Sequence, residues 1–127
     1  MSKEIIYTAD APAPIGPYNQ AVRSGNFLFV SGQVALKPES NEFENSDIVA
    51  ETNQVLQNLQ AILEAAGMSF ANVIKTTIFL SDMELFATVN EIYARYFETE
   101  FPARETVAVK GLPKNANVEI SCIAAAS

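Results

Sequence analysis

The sequence predicts an α+β domain in which two helices pack on one face of a mixed, mostly antiparallel sheet. Three observations lead there. Apolar residues recur at the helical period over residues 48–66 and again over residues 82–98. Short β-branched or aromatic runs stand before, between and after these stretches, in the order strands, helix, strand, helix, strands. In Phe27-Leu28-Phe29-Val30 both alternating sets are apolar, so this strand expects cover on both faces. A chain of 127 residues suits one domain, spanning residues 1–127.

Taken in order, residues 11–17 hold three prolines and a glycine and make a rigid surface turn. Residues 26–31 form a strand behind the Ser24-Gly25 turn signal. Residues 37–47 are polar, include Pro38 and Asn41, and give a loop with room for a short hairpin. In the first helix, residues 48–66, the apolar stripe is Val49, Val55, Leu56, Leu59, Ile62, Leu63 and Ala66. Ser46 or Asp47 can cap its start, and Gly67 stands where a left-handed C-terminal residue belongs. Residues 73–80 are a β-branched strand. Ser81 or Asp82 then caps a second helix running to about Glu98, with Leu85, Phe86, Val89, Ile92, Tyr93 and Tyr96 on its apolar stripe. Pro102 breaks the chain, and residues 106–109 and 118–124 are closing strands joined by a turn over 113–117. Two helices cover one face of such a sheet; the other is left for a second subunit or, alternatively, for loops.

Composition excludes whole classes of chemistry. With no histidine and one cysteine, Cys122, the chain can build neither a Ser-His-Asp triad nor a Cys-His dyad, and it lacks the ligands of a thiolate or imidazole metal site. Its five glycines fit no phosphate-binding fingerprint. Neither a metal nor a cofactor is therefore expected. The net charge of −7 disfavours nucleic acid and anionic membranes, and no segment reaches the roughly 20 apolar residues of a membrane span. A lone cysteine and the absence of a signal-like leader point to the cytoplasm.

Four places can carry chemistry with what remains. Gly16-Pro17-Tyr18 follows the rigid turn and would aim the Tyr18 phenol, although Gly-Pro-Tyr is by itself a common turn. Gly32, in Ser31-Gly32-Gln33, marks either a bulge or a place of close ligand approach. Arg104 presents a planar fork that matches a carboxylate, although an arginine at a strand start is ordinarily a solvated charge. Glu119 lies inside a closing strand, on the face opposite Val118, Ile120 and Cys122; buried, it would need a purpose, and on an edge it would need none. Cys122 falls in the core phase and has no base to activate it, so packing explains it.

Together these pieces resemble the RidA (YjgF-type) family from about Ile5 to Ala124. The resemblance rests on an ordered set: Ala13-Pro14-Ile15-Gly16-Pro17-Tyr18, Val30-Ser31-Gly32-Gln33, Ile74-Lys75-Thr76-Thr77-Ile78-Phe79, Phe86-Ala87-Thr88-Val89-Asn90, Phe101-Pro102-Ala103-Arg104, and Gly111-Leu112-Pro113-Lys114 before Val118-Glu119-Ile120. It implies a chorismate-mutase-like fold, a homotrimer with sites between subunits, and cofactor-independent hydrolysis of 2-imino acids such as 2-iminopropanoate and 2-iminobutanoate. On that resemblance Arg104 grips the substrate carboxylate, Glu119 acts on the attacking water, and Tyr18, Gly32 and Asn90 line the pocket. Thr106 stands where many members carry cysteine, which implies that no thiol is needed there. Two rival expectations remain, a non-catalytic binder of small carboxylates such as 2-oxo acids, and an RNA-directed translation inhibitor.

Overall fold

In a computed structural model, which describes residues 3–127, the strands are β1 (Glu4–Ile6), β2 (Ala21–Ser24), β3 (Phe27–Gln33), β4 (Val73–Leu80), β5 (Ala103–Ala108) and β6 (Val118–Ala125). They form a six-stranded sheet in the order β1-β2-β3-β6-β4-β5. β4 and β5 are parallel, and every other neighbouring pair is antiparallel. The helices are α1 (Ile48–Ala65) and α2 (Phe86–Ala94), and α2 makes the crossover between the two parallel strands.

α1 forms where the sequence predicts it, although Val49, the first residue of its expected apolar stripe, is 41% exposed because the first turn runs ahead of the sheet-facing side. Asp47 is the N-cap, with its carboxylate accepting the Ala50 N–H at 2.7 Å. At the other end Gly67 adopts φ +75°, and Met68 N–H returns to the Leu63 carbonyl at 2.8 Å. A Cβ on Gly67 would meet nothing within 4 Å, so backbone strain is the whole cost of a side chain there. Gly67→Ala is expected to destabilise the fold by about 1 kcal/mol, read as a lower urea midpoint at unchanged m-value.

α2 is shorter than its apolar stripe predicts, ending at Ala94 instead of about Glu98. Asp82 caps a 3₁₀ turn, Met83–Leu85, from which the helix starts. At the far end Arg95 and Tyr96 N–H groups bond three residues back, to Ile92 and Tyr93 carbonyls, which tightens and closes the helix. Tyr96 and Phe97 then turn onto Phe70, with ring centroids 5.5 and 5.2 Å apart. Aromatic docking overrides the helical pattern. β1 and β2 were not legible at all, since the one is three residues long and the other is Ala-Val-Arg-Ser. The hairpin inside 37–47 does form, through a Leu36–Phe43 bridge and a left-handed Asn41 at φ 59°.

Burial alternates along the strands. Leu28, Val30, Ile78, Leu80, Val118 and Ile120 face the helices and are buried against Leu56, Leu59, Ile62, Leu63 and Ile92. On the other face Phe27 and Phe29 are 46% and 48% exposed, beside an exposed Val107 and a half-buried Ile123. The helices cover one face and leave the other open and apolar, as the two-sided pattern of β3 requires.

Candidate active site

Glu119 points from β6 onto the open face, since its neighbours Val118 and Ile120 are buried against the helices. Its carboxylate is half-buried, and burial raises its pKa above the usual carboxylate value. Among the described residues nothing donates a hydrogen bond to it.

Gly32 explains how the carboxylate fits. A Cβ built on Gly32 would stand 2.6 Å from Glu119 Oε2 and 2.9 Å from its Cδ, so the missing side chain is the space the carboxylate occupies. The β3–β6 register also shifts between Val30 and Gln33, so a bulge is present, and what approaches Gly32 closely is the Glu119 side chain. Glu119, Gly32 and Tyr18 line one cavity of about 100 Å³, with Pro12, Ile15 and Lys114. The Tyr18 N–H returns to the Gly16 carbonyl at 2.8 Å across Pro17, which fixes the turn that carries the phenol.

Arg104 sits elsewhere. Its guanidinium lies against α2, 5.5 Å from the centre of the Phe86 ring and 5.1 Å from that of Tyr93. Nη1 donates to Asn90 Oδ1 at 2.6 Å. Phe86, Asn90 and Tyr93 are spaced four and three residues apart, so one stripe of α2 forms the bed. Tyr93 is locked in turn by a 2.7 Å hydrogen bond between its hydroxyl and Thr76 Oγ1, and burial raises its pKa, which keeps the phenol neutral. Among the described residues no carboxylate pairs with Arg104, so most of its five donors face outward without an anion. Thr106, two residues on and in the same phase, holds an enclosed Oγ1 with no hydrogen-bond partner.

The residues singled out from sequence therefore form two groups, Tyr18, Gly32 and Glu119 in one and Asn90, Arg104 and Thr106 in the other. They lie on opposite faces of the sheet. Glu119 pairs with Phe79 and Arg104 with Thr76, three residues apart along β4 and on its two sides. That places them roughly 10 Å apart along the strands and roughly 10 Å across them. One substrate the size of a small amino acid does not reach both groups within one protomer.

Several supporting residues escaped the sequence reading. Phe86 and Tyr93, which belong to the apolar stripe of the second helix, also serve as the guanidinium bed. Gln20, 2% exposed, pins the proline-rich turn by donating to the Thr8, Ala11 and Pro12 carbonyls and accepting from Thr8 N–H. Glu51, 1% exposed, accepts from the backbone and side-chain N–H groups of Asn117 at 2.7 and 3.0 Å, two residues before Glu119. Asn117 is held from the other side by Ser81, whose hydroxyl donates to its Oδ1 at 2.9 Å. Glu51 and Asn58 did carry a signal, because both fall in phase with the apolar Val55 and Ile62 of α1. Among the described residues no helix is long and apolar enough to cross a membrane, and no cluster of potential ligands could hold a metal.

Comparison with known proteins finds relatives over nearly the whole chain. The family model described as Endoribonuclease L-PSP matches residues 8–126. A RutC family protein of Pyrococcus horikoshii is 52% identical over 122 residues, which is 96% of this chain and 97% of that protein. The mouse 2-iminobutanoate/2-iminopropanoate deaminase is 48% identical over 122 residues, covering 96% of this chain and 90% of its own. Among solved structures, a putative endoribonuclease of Thermotoga maritima superposes with a TM-score of 0.95 at 48% identity, covering 98% of each chain.

Proposed function

This chain belongs to the Endoribonuclease L-PSP (YjgF/RidA) family, and on that premise we propose that it hydrolyses reactive 2-imino acids to 2-oxo acids and ammonia. Family members include proteins named as reactive intermediate deaminases. The observation that carries the reading to this chain is an arginine held ready on an aromatic bed without a carboxylate partner. A half-buried glutamate lines a separate cavity.

In this reading the site is completed between two copies, in a homotrimer that covers the open apolar face. Arg104 of one copy takes the substrate carboxylate through its free fork, and Asn90 and the two rings hold that fork in place. Glu119 of the next copy accepts a proton from water as the water oxygen bonds to C2 of the imine. The C=N π pair moves to nitrogen, which takes the proton now held by Glu119, giving the carbinolamine. The hydroxyl then passes its proton by way of Glu119 to the amino nitrogen, its oxygen forms the C=O bond as the C–N bond breaks, and ammonia leaves the 2-oxo acid. Tyr18 and Gly32 line the approach, and Thr106 borders the arginine side. No metal or cofactor is required by these steps, and the single cysteine suits a reducing, cytoplasmic setting.

Burial opposes ionisation of Glu119, so its carboxylate binds a proton more readily than an exposed one. The acid limb of the kcat profile should consequently lie above the usual carboxylate range, with turnover falling as pH drops through it. Glu119→Gln should lack that limb and lose turnover while still binding a 2-oxo acid. Wild-type turnover in Glu119→Gln would instead favour a small-carboxylate binding protein. Gly32→Ala tests the same carboxylate from the other side. Its methyl displaces the flexible end of a side chain and no backbone, so the variant should fold normally. Turnover should nevertheless fall by about a hundredfold, as expected of a displaced catalytic group. A folded, fully active Gly32→Ala would show that the position of Glu119 is unimportant. The net charge of −7 gives an RNA-directed reading no support.

A further inference from the structure

The cavity beside Glu119 is walled on one side by backbone that belongs to neither helix nor strand. β3 ends at Gln33, after which Ala35 is completely buried while its neighbours Val34 and Leu36 line the cavity. The Leu36 N–H donates to the Val34 carbonyl at 2.8 Å, closing a tight turn around Ala35. Asn58 grips this turn from α1. Its amide donates to the Val34 carbonyl at 3.1 Å and to the Leu36 carbonyl at 3.0 Å. Its own Oδ1 accepts from Gln54 Nε2 at 3.0 Å. Asn58 is 1% exposed and stands in the apolar phase of α1, where an unpaired amide would be costly. It does not line the cavity, so what accounts for it is the turn that it holds.

We propose that Asn58 is a specificity-setting positioning residue. By clamping residues 34–36 it fixes how far Val34 and Leu36 reach into the cavity, and with that the length of substrate side chain admitted. The inference rests on the deaminase reading above. The cavity of about 100 Å³ is walled by Pro12, Ala13, Ile15, Val34 and Leu36. These five side chains are all apolar, so the wall suits an aliphatic substrate side chain, and the reach of Val34 and Leu36 sets the length it accepts. The Leu36–Phe43 bridge and the Glu44 N–H, which donates to the Ala35 carbonyl at 2.8 Å, hold the turn from the hairpin side, and the two Asn58 hydrogen bonds hold it from α1.

The test uses imines released in place by a flavin-dependent amino-acid oxidase from alanine, leucine and phenylalanine, with kcat/KM read for each. The wild-type protein should favour the leucine-derived imine over the phenylalanine-derived one. Leu36→Ala should move that ratio towards phenylalanine by about tenfold or more, the scale on which an apolar pocket discriminates. Asn58→Asp keeps the shape but sets a carboxylate against two carbonyls, and should collapse the leucine-to-phenylalanine ratio towards unity. The alanine-derived imine, whose methyl is too short to reach the turn, should lose far less. Should Asn58→Asp fail to fold, Gln54→Leu decides, since it removes the donor that orients the Asn58 amide and should shift the ratio the same way. An unchanged ratio in folded Asn58→Asp, or in Gln54→Leu when that variant decides, overturns the proposal while leaving the deaminase reading standing. No turnover of any imine by the wild-type protein sinks that reading, and this inference with it.

Discussion

Arg104→Ala is expected to remove imine hydrolysis and 2-oxo acid binding together while leaving the oligomer intact. The guanidinium rests on Phe86 and Tyr93 and is steadied by Asn90, with no carboxylate of its own chain to neutralise it. A ligand carboxylate would meet two parallel N–H donors in that fork. Each such charged hydrogen bond contributes about 1.5–3 kcal/mol, so losing the pair should weaken binding by roughly a hundredfold or more. Arg104→Lys keeps the charge but has neither the fork nor a flat face to lie on the rings, and should recover little. The measurements are imine turnover, 2-oxo acid affinity and sedimentation, made side by side on both variants. Full activity in Arg104→Ala removes the central claim. Inactivity accompanied by dissociation would make Arg104 a structural residue.

Two dead variants should restore each other. Arg104 and Glu119 stand on opposite faces of the same sheet, so in the proposed trimer each site takes its arginine from one copy and its glutamate from a neighbour. Arg104→Ala and Glu119→Gln are each expected to be inactive as pure oligomers. Unfolded together and refolded in equal amounts, they should regain about a quarter of wild-type activity, because random assembly pairs an intact arginine with an intact glutamate at that frequency in a closed ring. Mixing without subunit exchange should restore nothing. If the refolded mixture stays inactive while sedimentation shows mixed oligomers, both groups act within one protomer and the shared site is wrong.

Much of the scaffold was legible because its signals are local. The α1 stripe, the Asp47 cap, the left-handed Gly67 and strand β4 each follow from residues within a few positions. The failures share a cause as well. α2 stops early because Tyr96 and Phe97 pack against the distant Phe70, and β2 is fixed largely by its pairing with β3. No window along the chain contains those contacts. The candidate site divides in the same way. Arg104 and Glu119 stood out by chemistry and phase, and Gly32 by its place at a strand end. That Gly32 vacates the space of one particular carboxylate is a fact of β3–β6 register. Gln20 gave no local sign, since its four hydrogen bonds run to a turn eight to twelve residues away.

The separation of the two groups across the sheet also makes activity a matter of mass action. If no protomer holds a whole site, catalysis per chain depends on how many chains are associated, and an assembled species vanishes faster than linearly as the total falls. Specific activity should then be flat at high concentration and drop steeply below the dissociation range. Substrate bridging two copies would move that range lower, so the protein would hold together best when its substrate is abundant. Expression level would act on this chain twice, through the number of molecules and through the fraction that is competent.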